Sequence, residues 1–127
     1  MVLTVDIGNT NIVLGVFDQD ELVFTARVST DKNRTADEYS VMIHGIFEIN
    51  GFDLSRFDGI ILSSVVPQLN SVVAYALGRF TSVRIRTVGP GLRTGFRILA
   101  DDPTELGSDM VCNVAGALSE FEGPLTI

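Results

Sequence analysis

The chain has 127 residues, of which 46% are hydrophobic and 20% charged, the composition of one ordinary globular domain. Its formal net charge of −7 argues against nucleic acid as a general partner. No apolar run is long enough to cross a membrane and no basic segment precedes the first apolar run, so we expect a cytoplasmic protein with no membrane partner. The single cysteine, Cys112, excludes an internal disulfide and a cysteine-based zinc cluster, and we interpret it as a small helix-packing residue.

The first part of the chain predicts three antiparallel strands. Met1 to Val5 is an apolar run, and Ile12 to Phe17 and Leu22 to Val28 follow it. The segment Asp18 to Asp20 between the last two is a polar turn. Strands joined by such short connections run antiparallel.

The hydrophobic period then changes to that of a helix. Thr35 to Glu38 forms a capping-box pattern, and apolar residues at helical spacing continue to Asn50-Gly51. The only histidine, His44, lies within this pattern and is predicted to be structural. Gly59 to Val65 predicts a buried strand, and Pro67 opens a second amphipathic helix.

The last part of the chain predicts a fifth strand over Val83 to Val88 and a third helix from about Thr104 to Phe121. Leu125 to Ile127 has the pattern of the start of a further strand. The order is therefore βββαβαβα, an α/β fold with a mixed sheet in which parallel strands, joined by right-handed crossovers, extend three antiparallel ones and helices flank the sheet. This is the layout of one half of an actin-like, ribonuclease-H-like domain.

The segment after the first strand is the first candidate site. Asp6-Ile7-Gly8-Asn9-Thr10-Asn11 combines a carboxylate, a glycine that lets the backbone approach a ligand, and three short polar side chains that can donate to phosphate oxygens. Because Asp6 itself would repel phosphate, we expect it to hold Mg²⁺, directly or through water. The alternative is a plain hairpin turn over Gly8 to Thr10, which would require neither Asp6 nor Asn11.

A second candidate is Asp109, near the start of the third helix, with Asn113 one turn later on the same face. A carboxylate there could take a proton from a substrate hydroxyl as that hydroxyl attacks a phosphorus. The alternative is an acid that interacts only with the helix dipole. Spacing alone does not separate the two. Ser63-Ser64 are further candidates, because open α/β sheets bind ligands outside the carboxyl ends of their strands.

Basic residues and glycines are concentrated between the fifth strand and the third helix. Arg84, Arg86, Arg93 and Arg97 occur with no acid among them, which favours an anionic small molecule nearby. The alternative is a solvated strand face whose arginines pair with acids elsewhere. The loop from Gly89 to Gly95 offers backbone N–H groups to a ligand, although glycine and proline also form ordinary turns.

Five segments, taken together and in order, resemble type III pantothenate kinase. They are Asp6 to Asn11, Arg34 to Glu38, Ser63 to Pro67, Gly89 to Gly95, and Pro103 to Asp109. The resemblance implies ATP-dependent phosphorylation of pantothenate to 4'-phosphopantothenate, the first step of coenzyme A biosynthesis, with Mg²⁺ and a monovalent cation, K⁺ or NH₄⁺. It also implies a homodimer and an actin-like fold of two similar halves. By this resemblance, residues 1–127 would correspond to the N-terminal half, and we expect the second half, which carries the monovalent-cation site in the family, to be absent from them.

The resemblance also implies roles for individual residues. The ATP phosphates would lie along eight consecutive residues, with Asp6 on the Mg²⁺ side: Asp6, Ile7, Gly8, Asn9, Thr10, Asn11, Ile12 and Val13. Pantothenate would contact Gly107, Ser108, Asp109 and Met110, and Asp109 would be the general base.

Two residues depart from the family pattern. Met110 stands where the family commonly has an arginine that contacts pantothenate, and Ala100 replaces a frequent tyrosine. Losing an arginine that meets a substrate anion removes a contact worth about 1.5 to 3 kcal/mol. We therefore include Arg93 and its neighbour Thr94 among the expected substrate-binding residues. The alternative is that a residue of a partner chain compensates for the missing arginine. The alternative function is a non-catalytic relative that binds a ligand or acts as a transcription-accessory protein.

Overall fold

The computed structural model describes residues 1–89, 92–99, 102, 106–124 and 126. Within this part of the chain the strands and helices occur in the predicted order. They are β1 (Val2–Ile7), β2 (Asn11–Asp18), β3 (Glu21–Ser29), α1 (Ala36–Ile49), β4 (Gly59–Ser64), α2 (Pro67–Gly78), β5 (Ile85–Thr87) and α3 (Ser108–Glu120), with a short 3-10 helix (Leu54–Arg56) before β4.

The strands form one mixed sheet in the order β3-β2-β1-β4-β5. The pairs β1–β2 and β2–β3 are antiparallel, whereas β4 is parallel to β1 and β5 is parallel to β4. The predicted mixed sheet is therefore confirmed. The two parallel strands place the carboxyl ends of β1 and β4 side by side at one edge of the sheet.

One face of the sheet packs against α1 and α2. Leu3, Val5 and Ile7 of β1 are fully buried on this face, because side chains of a strand alternate between its two sides. The helices contribute Tyr39, Ile43 and Phe47 from α1 and Leu69, Val73, Ala76 and Leu77 from α2. Thr4 and Asp6 lie on the opposite face by the same alternation.

The start of α1 is fixed by local hydrogen bonds. The Thr35 hydroxyl accepts from the Glu38 backbone N–H at 3.3 Å, and the Glu38 carboxylate accepts from the Thr35 backbone N–H at 2.8 Å. The predicted capping box is confirmed. The backbone and side-chain hydrogen bonds from Thr35 hold the pKa of Glu38 below its usual value.

The predicted ends of two strands, β1 and β5, were wrong. β1 continues through Asp6 to Ile7 instead of ending at Val5, since Asp6 pairs with β2 on one side and β4 on the other. β5 covers only Ile85–Thr87, within the predicted Val83 to Val88. Val83, where we expected the strand to begin, lies in a bend between α2 and β5, and its N–H donates to the Thr81 hydroxyl at 3.1 Å.

The predicted start of α3 was also wrong. The helix begins at Ser108, because Leu106 is in a bend and Gly107 is an extended N-cap residue with ψ 145°. Thr104, where we expected the helix to start, lies outside the described residues, as do Leu125 and Ile127 of the predicted further strand.

His44 lies on the exposed surface of α1. Its ring packs on that of Phe80, two residues after the end of α2, with the ring centroids 4.5 Å apart. Its Nδ1 is 3.7 Å from the Glu48 carboxylate. These contacts are consistent with the structural interpretation of this histidine. Among the described residues, no helix has the length and apolar character needed to cross a membrane.

Candidate functional site

Asp6 is an exposed carboxylate at the carboxyl end of β1. It pairs in register with Val13 of β2 and with Ser63 of β4. No hydrogen bond or ion pair to another described residue engages its side chain. Asp6 is therefore available to a ligand on the face of the sheet opposite α1 and α2.

The loop between β1 and β2 is tightly folded. The Gly8 N–H donates to the Asn11 carbonyl at 3.0 Å, and a Cβ at Gly8 would lie only 3.0 Å from that same oxygen. Thr30, just after β3, secures the loop by donating its hydroxyl to the Gly8 carbonyl at 2.7 Å and its N–H to the Thr10 carbonyl at 2.9 Å. The glycine is thus required by close approach of the backbone.

The polar side chains of this loop remain free for a ligand. Asn9 and Thr10 are exposed and Asn11 is half-buried, and within the described residues none of the three forms a side-chain hydrogen bond. In contrast, the side chains of Ile7 and Ile12 are fully buried against the core. Only backbone atoms of those two isoleucines could line a phosphate group.

The end of β4 is joined to the start of α3. The Ser108 hydroxyl accepts from the Ser64 N–H at 2.9 Å and donates to the Ser64 carbonyl at 2.8 Å. It also accepts from the Ser63 hydroxyl at 3.2 Å. Because Ser63 is the register partner of Asp6, these contacts bring the first turn of α3 to the same edge of the sheet as Asp6.

Asp109 is exposed in the first turn of α3. Its Oδ1 accepts from the Met110 N–H at 2.8 Å, so the carboxylate lies over the N-terminus of its own helix. This contact is the one expected of a helix-end acid. A Cβ at Gly107 would lie 2.4 Å from the same Oδ1, so a glycine at this position leaves the space that the carboxylate occupies.

The thiol of Cys112 interacts electrostatically with the carboxylates of both Asp6 and Asp109. Partial burial of the thiol raises its pKa, and the carboxylates of Asp6 and Asp109 raise it further, whereas a hydrogen bond with Ser63 lowers it. Asp6 and Asp109, from opposite ends of the sequence, therefore both act on one thiol. No residue of α3 is buried and Cys112 is exposed, so our interpretation of it as a helix-packing residue was wrong.

The arginine-rich segment is not joined to this group of residues by any contact that the structure describes. Arg93 is exposed, and the Thr94 hydroxyl donates to the Phe96 carbonyl at 3.3 Å. Within the described residues, no ion pair engages Arg84, Arg86, Arg93 or Arg97.

The residues around Asp6 fit a magnesium ion that keeps most of its water. The described residues contain no group of three or more acidic, histidine or cysteine side chains able to hold a metal by themselves. Mg²⁺ typically binds one or two carboxylates together with water and substrate phosphates. A single exposed carboxylate beside a loop with free polar side chains meets this requirement.

A sequence model described as type III pantothenate kinase matches residues 2–127, nearly the whole chain. The chain belongs to the type III pantothenate kinase family. The resemblance inferred from the five segments is thus confirmed.

Three curated relatives bear the name type III pantothenate kinase. They are those of Geotalea daltonii, 42% identical, and of Exiguobacterium sp. and Brevibacillus brevis, each 40% identical, all over 127 residues. In each case the match covers 100% of this chain and 50% of the relative. The chain therefore spans about half the length of these type III pantothenate kinases. Among solved structures, RuvC of Thermus thermophilus aligns over 98% of this chain and 83% of that one, with 20% identity and a TM-score of 0.43.

Sequence reasoning did not anticipate the contacts of two residues near this candidate site. The Ser108 hydroxyl is bound to β4, and the expected contact of Ser108 with pantothenate stays a prediction. Cys112 follows Ser108 by four residues and Asp109 by three, so helical spacing alone places it on their face. That spacing was the signal that could have identified it.

Proposed function

We propose that this chain is the N-terminal, actin-like half of a cytoplasmic, homodimeric enzyme that phosphorylates pantothenate with ATP, the first step of coenzyme A biosynthesis. The observation that carries this proposal is the attachment of the first turn of α3, which contains Asp109, to the end of β4 beside Asp6. Family membership and the strand order β3-β2-β1-β4-β5 support it. In such a half, the phosphate loop and the catalytic acid are both present.

The loop after β1 holds the phosphates of ATP. The free side chains of Asn9, Thr10 and Asn11 donate to phosphate oxygens, and the backbone from Asp6 to Val13 lines them. Asp6 orients a magnesium ion, directly or through water. Asp6 would hold this ion, whose positive charge would offset the repulsion between the carboxylate and the phosphates. The monovalent cation, K⁺ or NH₄⁺, binds in the second half of the protein.

Asp109 is the general base on the acceptor side. Its exposed carboxylate has one oxygen on the Met110 N–H and another that no described residue engages. That second oxygen takes the proton of the pantothenate primary hydroxyl as the hydroxyl oxygen attacks the γ-phosphorus and ADP leaves. The backbone of Gly107 and Ser108 and the residues Asp109 and Met110 lie against pantothenate, whereas the Ser108 hydroxyl is bound to β4. Arg93, which has no acidic partner within the described residues, meets the pantothenate carboxylate, and Thr94 lies beside it.

A binding protein without turnover is the second candidate function. Met110 and Ala100 favour it, because the family commonly has an arginine and a tyrosine at these places. Such a relative would keep ATP or pantothenate binding, and could act as a transcription-accessory protein, while losing phosphoryl transfer.

The deciding experiment measures product formation by the full-length protein. Purified protein is incubated with Mg-ATP, K⁺ and pantothenate, and 4'-phosphopantothenate is measured by mass spectrometry beside ADP release. We expect both products in equal amounts, and no ADP release when pantothenate is left out. Calorimetric binding of ATP or pantothenate without product would favour the binding protein. Absence of pantothenate binding with ATP and K⁺ present would refute the kinase.

A further inference from the structure

The Ser108 hydroxyl has no capacity left for a substrate. It accepts from the Ser64 N–H at 2.9 Å and the Ser63 hydroxyl at 3.2 Å, and it donates to the Ser64 carbonyl at 2.8 Å. A hydroxyl has one proton to donate and two lone pairs. All three are used, so the hydroxyl itself serves the protein and not the ligand.

The hydrogen bonds between Ser108 and Ser64 take the place of pairing between Ser64 and β5, which ends too early to reach it. Val65 directs its N–H towards β1, where it donates to the Ile7 carbonyl at 3.0 Å, whereas the Leu62 carbonyl accepts from Val88 on the β5 side at 2.8 Å. Ser64, two residues after Leu62, also faces the β5 side, but β5 has ended at Thr87. Ser108 therefore supplies both hydrogen bonds that a longer β5 would have made, and an unpaired backbone group is costly enough to fix this contact.

We propose that Ser108 is a positioning residue that sets the place of the Asp109 carboxylate relative to Asp6. Asp109 follows Ser108 directly, and its only described hydrogen bond is to the N–H of the next residue, Met110. The carboxylate is thus held by its own helix, and the helix start is held by Ser108. Since Ser63 joins Ser108 and is the register partner of Asp6, the same contact spans both sides of the candidate site. The inference rests on the proposed function, because it requires Asp109 to act as the base.

The test compares three variants of the full-length protein. Ser108→Ala removes the hydroxyl, and Ser108→Thr keeps it. Ser119→Ala is the matched control, because Ser119 is exposed on the same helix and donates only to the Gly116 carbonyl at 2.7 Å. We expect Ser108→Ala to lower kcat roughly 10- to 100-fold, the cost of a small misplacement of a reacting group, with the KM for ATP little changed. Ser108→Thr and the control should keep turnover near wild type.

Amide hydrogen exchange gives a second readout that does not depend on activity. The Ser64 N–H should exchange faster in Ser108→Ala than in wild type, and at the wild-type rate in Ser108→Thr. If Ser108→Ala does not fold, Ser108→Cys is measured in its place, because its thiol is a similar size but a weak hydrogen-bonding group. The kinetic expectations for this variant are the same.

Three results would overturn the inference. One is a kcat within about twofold of wild type in the variant that lacks the hydroxyl. Another is a raised KM for pantothenate with kcat unchanged, which would make Ser108 a substrate contact. In both cases an active wild type leaves the proposed function standing. A wild-type protein that forms no 4'-phosphopantothenate refutes the proposed function and this inference together.

Discussion

Replacing Asp109 with asparagine separates a general base from a helix-end acid. The amide keeps the size of the side chain and an oxygen that accepts from the Met110 N–H, but it cannot take up a proton at neutral pH. If Asp109 is the base, turnover of the full-length protein should fall about 10²- to 10⁴-fold. This corresponds to about 2.7 to 5.5 kcal/mol in the activation barrier.

The structural cost of the same change should be small. Asp109 is exposed, and its carboxylate bonds to a single N–H of its own helix. Its interaction with the helix dipole is worth about 0.3 to 1 kcal/mol. Even if all of that were lost from the transition state, turnover would fall by only about fivefold, since 1.4 kcal/mol corresponds to a factor of ten. A 100-fold loss therefore cannot come from the dipole.

The assay is coupled ADP release at saturating Mg-ATP and pantothenate, with thermal unfolding measured in parallel. Glu120→Gln is the matched control, because it makes the same change from carboxylate to amide on an exposed residue at the other end of α3. The KM for ATP should change little in either variant, since the loop that we propose holds the phosphates connects β1 and β2. A turnover near wild type for Asp109→Asn would show that the residue is only a helix-end acid.

Four further outcomes are expected. Residues 1–127 alone should release negligible ADP, because half of an actin-like cleft leaves much of the nucleotide site unbuilt, and robust turnover by this segment would contradict that. Arg93→Ala should raise the KM for pantothenate about tenfold or more, which corresponds to a loss of about 1.4 kcal/mol of binding. An unchanged KM in Arg93→Ala would exclude Arg93 as the carboxylate contact. Met110→Arg should maintain or improve activity. Gly107→Ala should lower kcat, because the added Cβ would lie 2.4 Å from the Asp109 carboxylate, and unchanged kinetics would show that the carboxylate can move at no cost. Partial burial and two carboxylates raise the pKa of Cys112, so its alkylation should require a higher pH in the folded protein than in denaturant. Peptide mass spectrometry measures the alkylation at each pH, and equal midpoints of the two pH curves would contradict the raised pKa.

Local interactions were predictable from the sequence, and interactions between distant segments were not. The start of α1 follows from the Thr35 to Glu38 box, whose hydrogen bonds form between residues three apart. The start of α3 has no such local signal, because Gly107 has no side chain to cap it. Instead, the helix start is fixed by Ser108 binding to β4, a contact between residues 44 positions apart in sequence. Helical spacing without that contact led to a start near Thr104.

The difference between local and distant interactions also explains which features of the candidate site the sequence predicted. Asp6 and the glycine of its loop were evident because a strand and a tight turn are local features. The convergence of Asp6 and Asp109 required the parallel pairing of β1 with β4, and then the attachment of α3 to the end of β4. Short turns determine which strands are antiparallel neighbours, but the crossovers do not specify where a later helix meets the sheet. Residue spacing could not assign Asp6 and Asp109 to one candidate site, and the resemblance of the five segments to the family did so.

The arrangement also accounts for the expected dependence on a cation. Two carboxylates at one edge of the sheet, in a chain of net charge −7, repel the phosphates that the loop after β1 could otherwise bind. The Met110 N–H in the first turn of α3 does not help to offset this repulsion, because it is already engaged by Asp109. If the proposed function holds, phosphate binding requires positive charge that this edge lacks, so we expect Mg²⁺ at Asp6 to be needed for nucleotide affinity as well as for phosphoryl transfer. Removing Mg²⁺ should accordingly weaken ATP binding itself, whereas a metal needed only for the chemical step would leave binding intact.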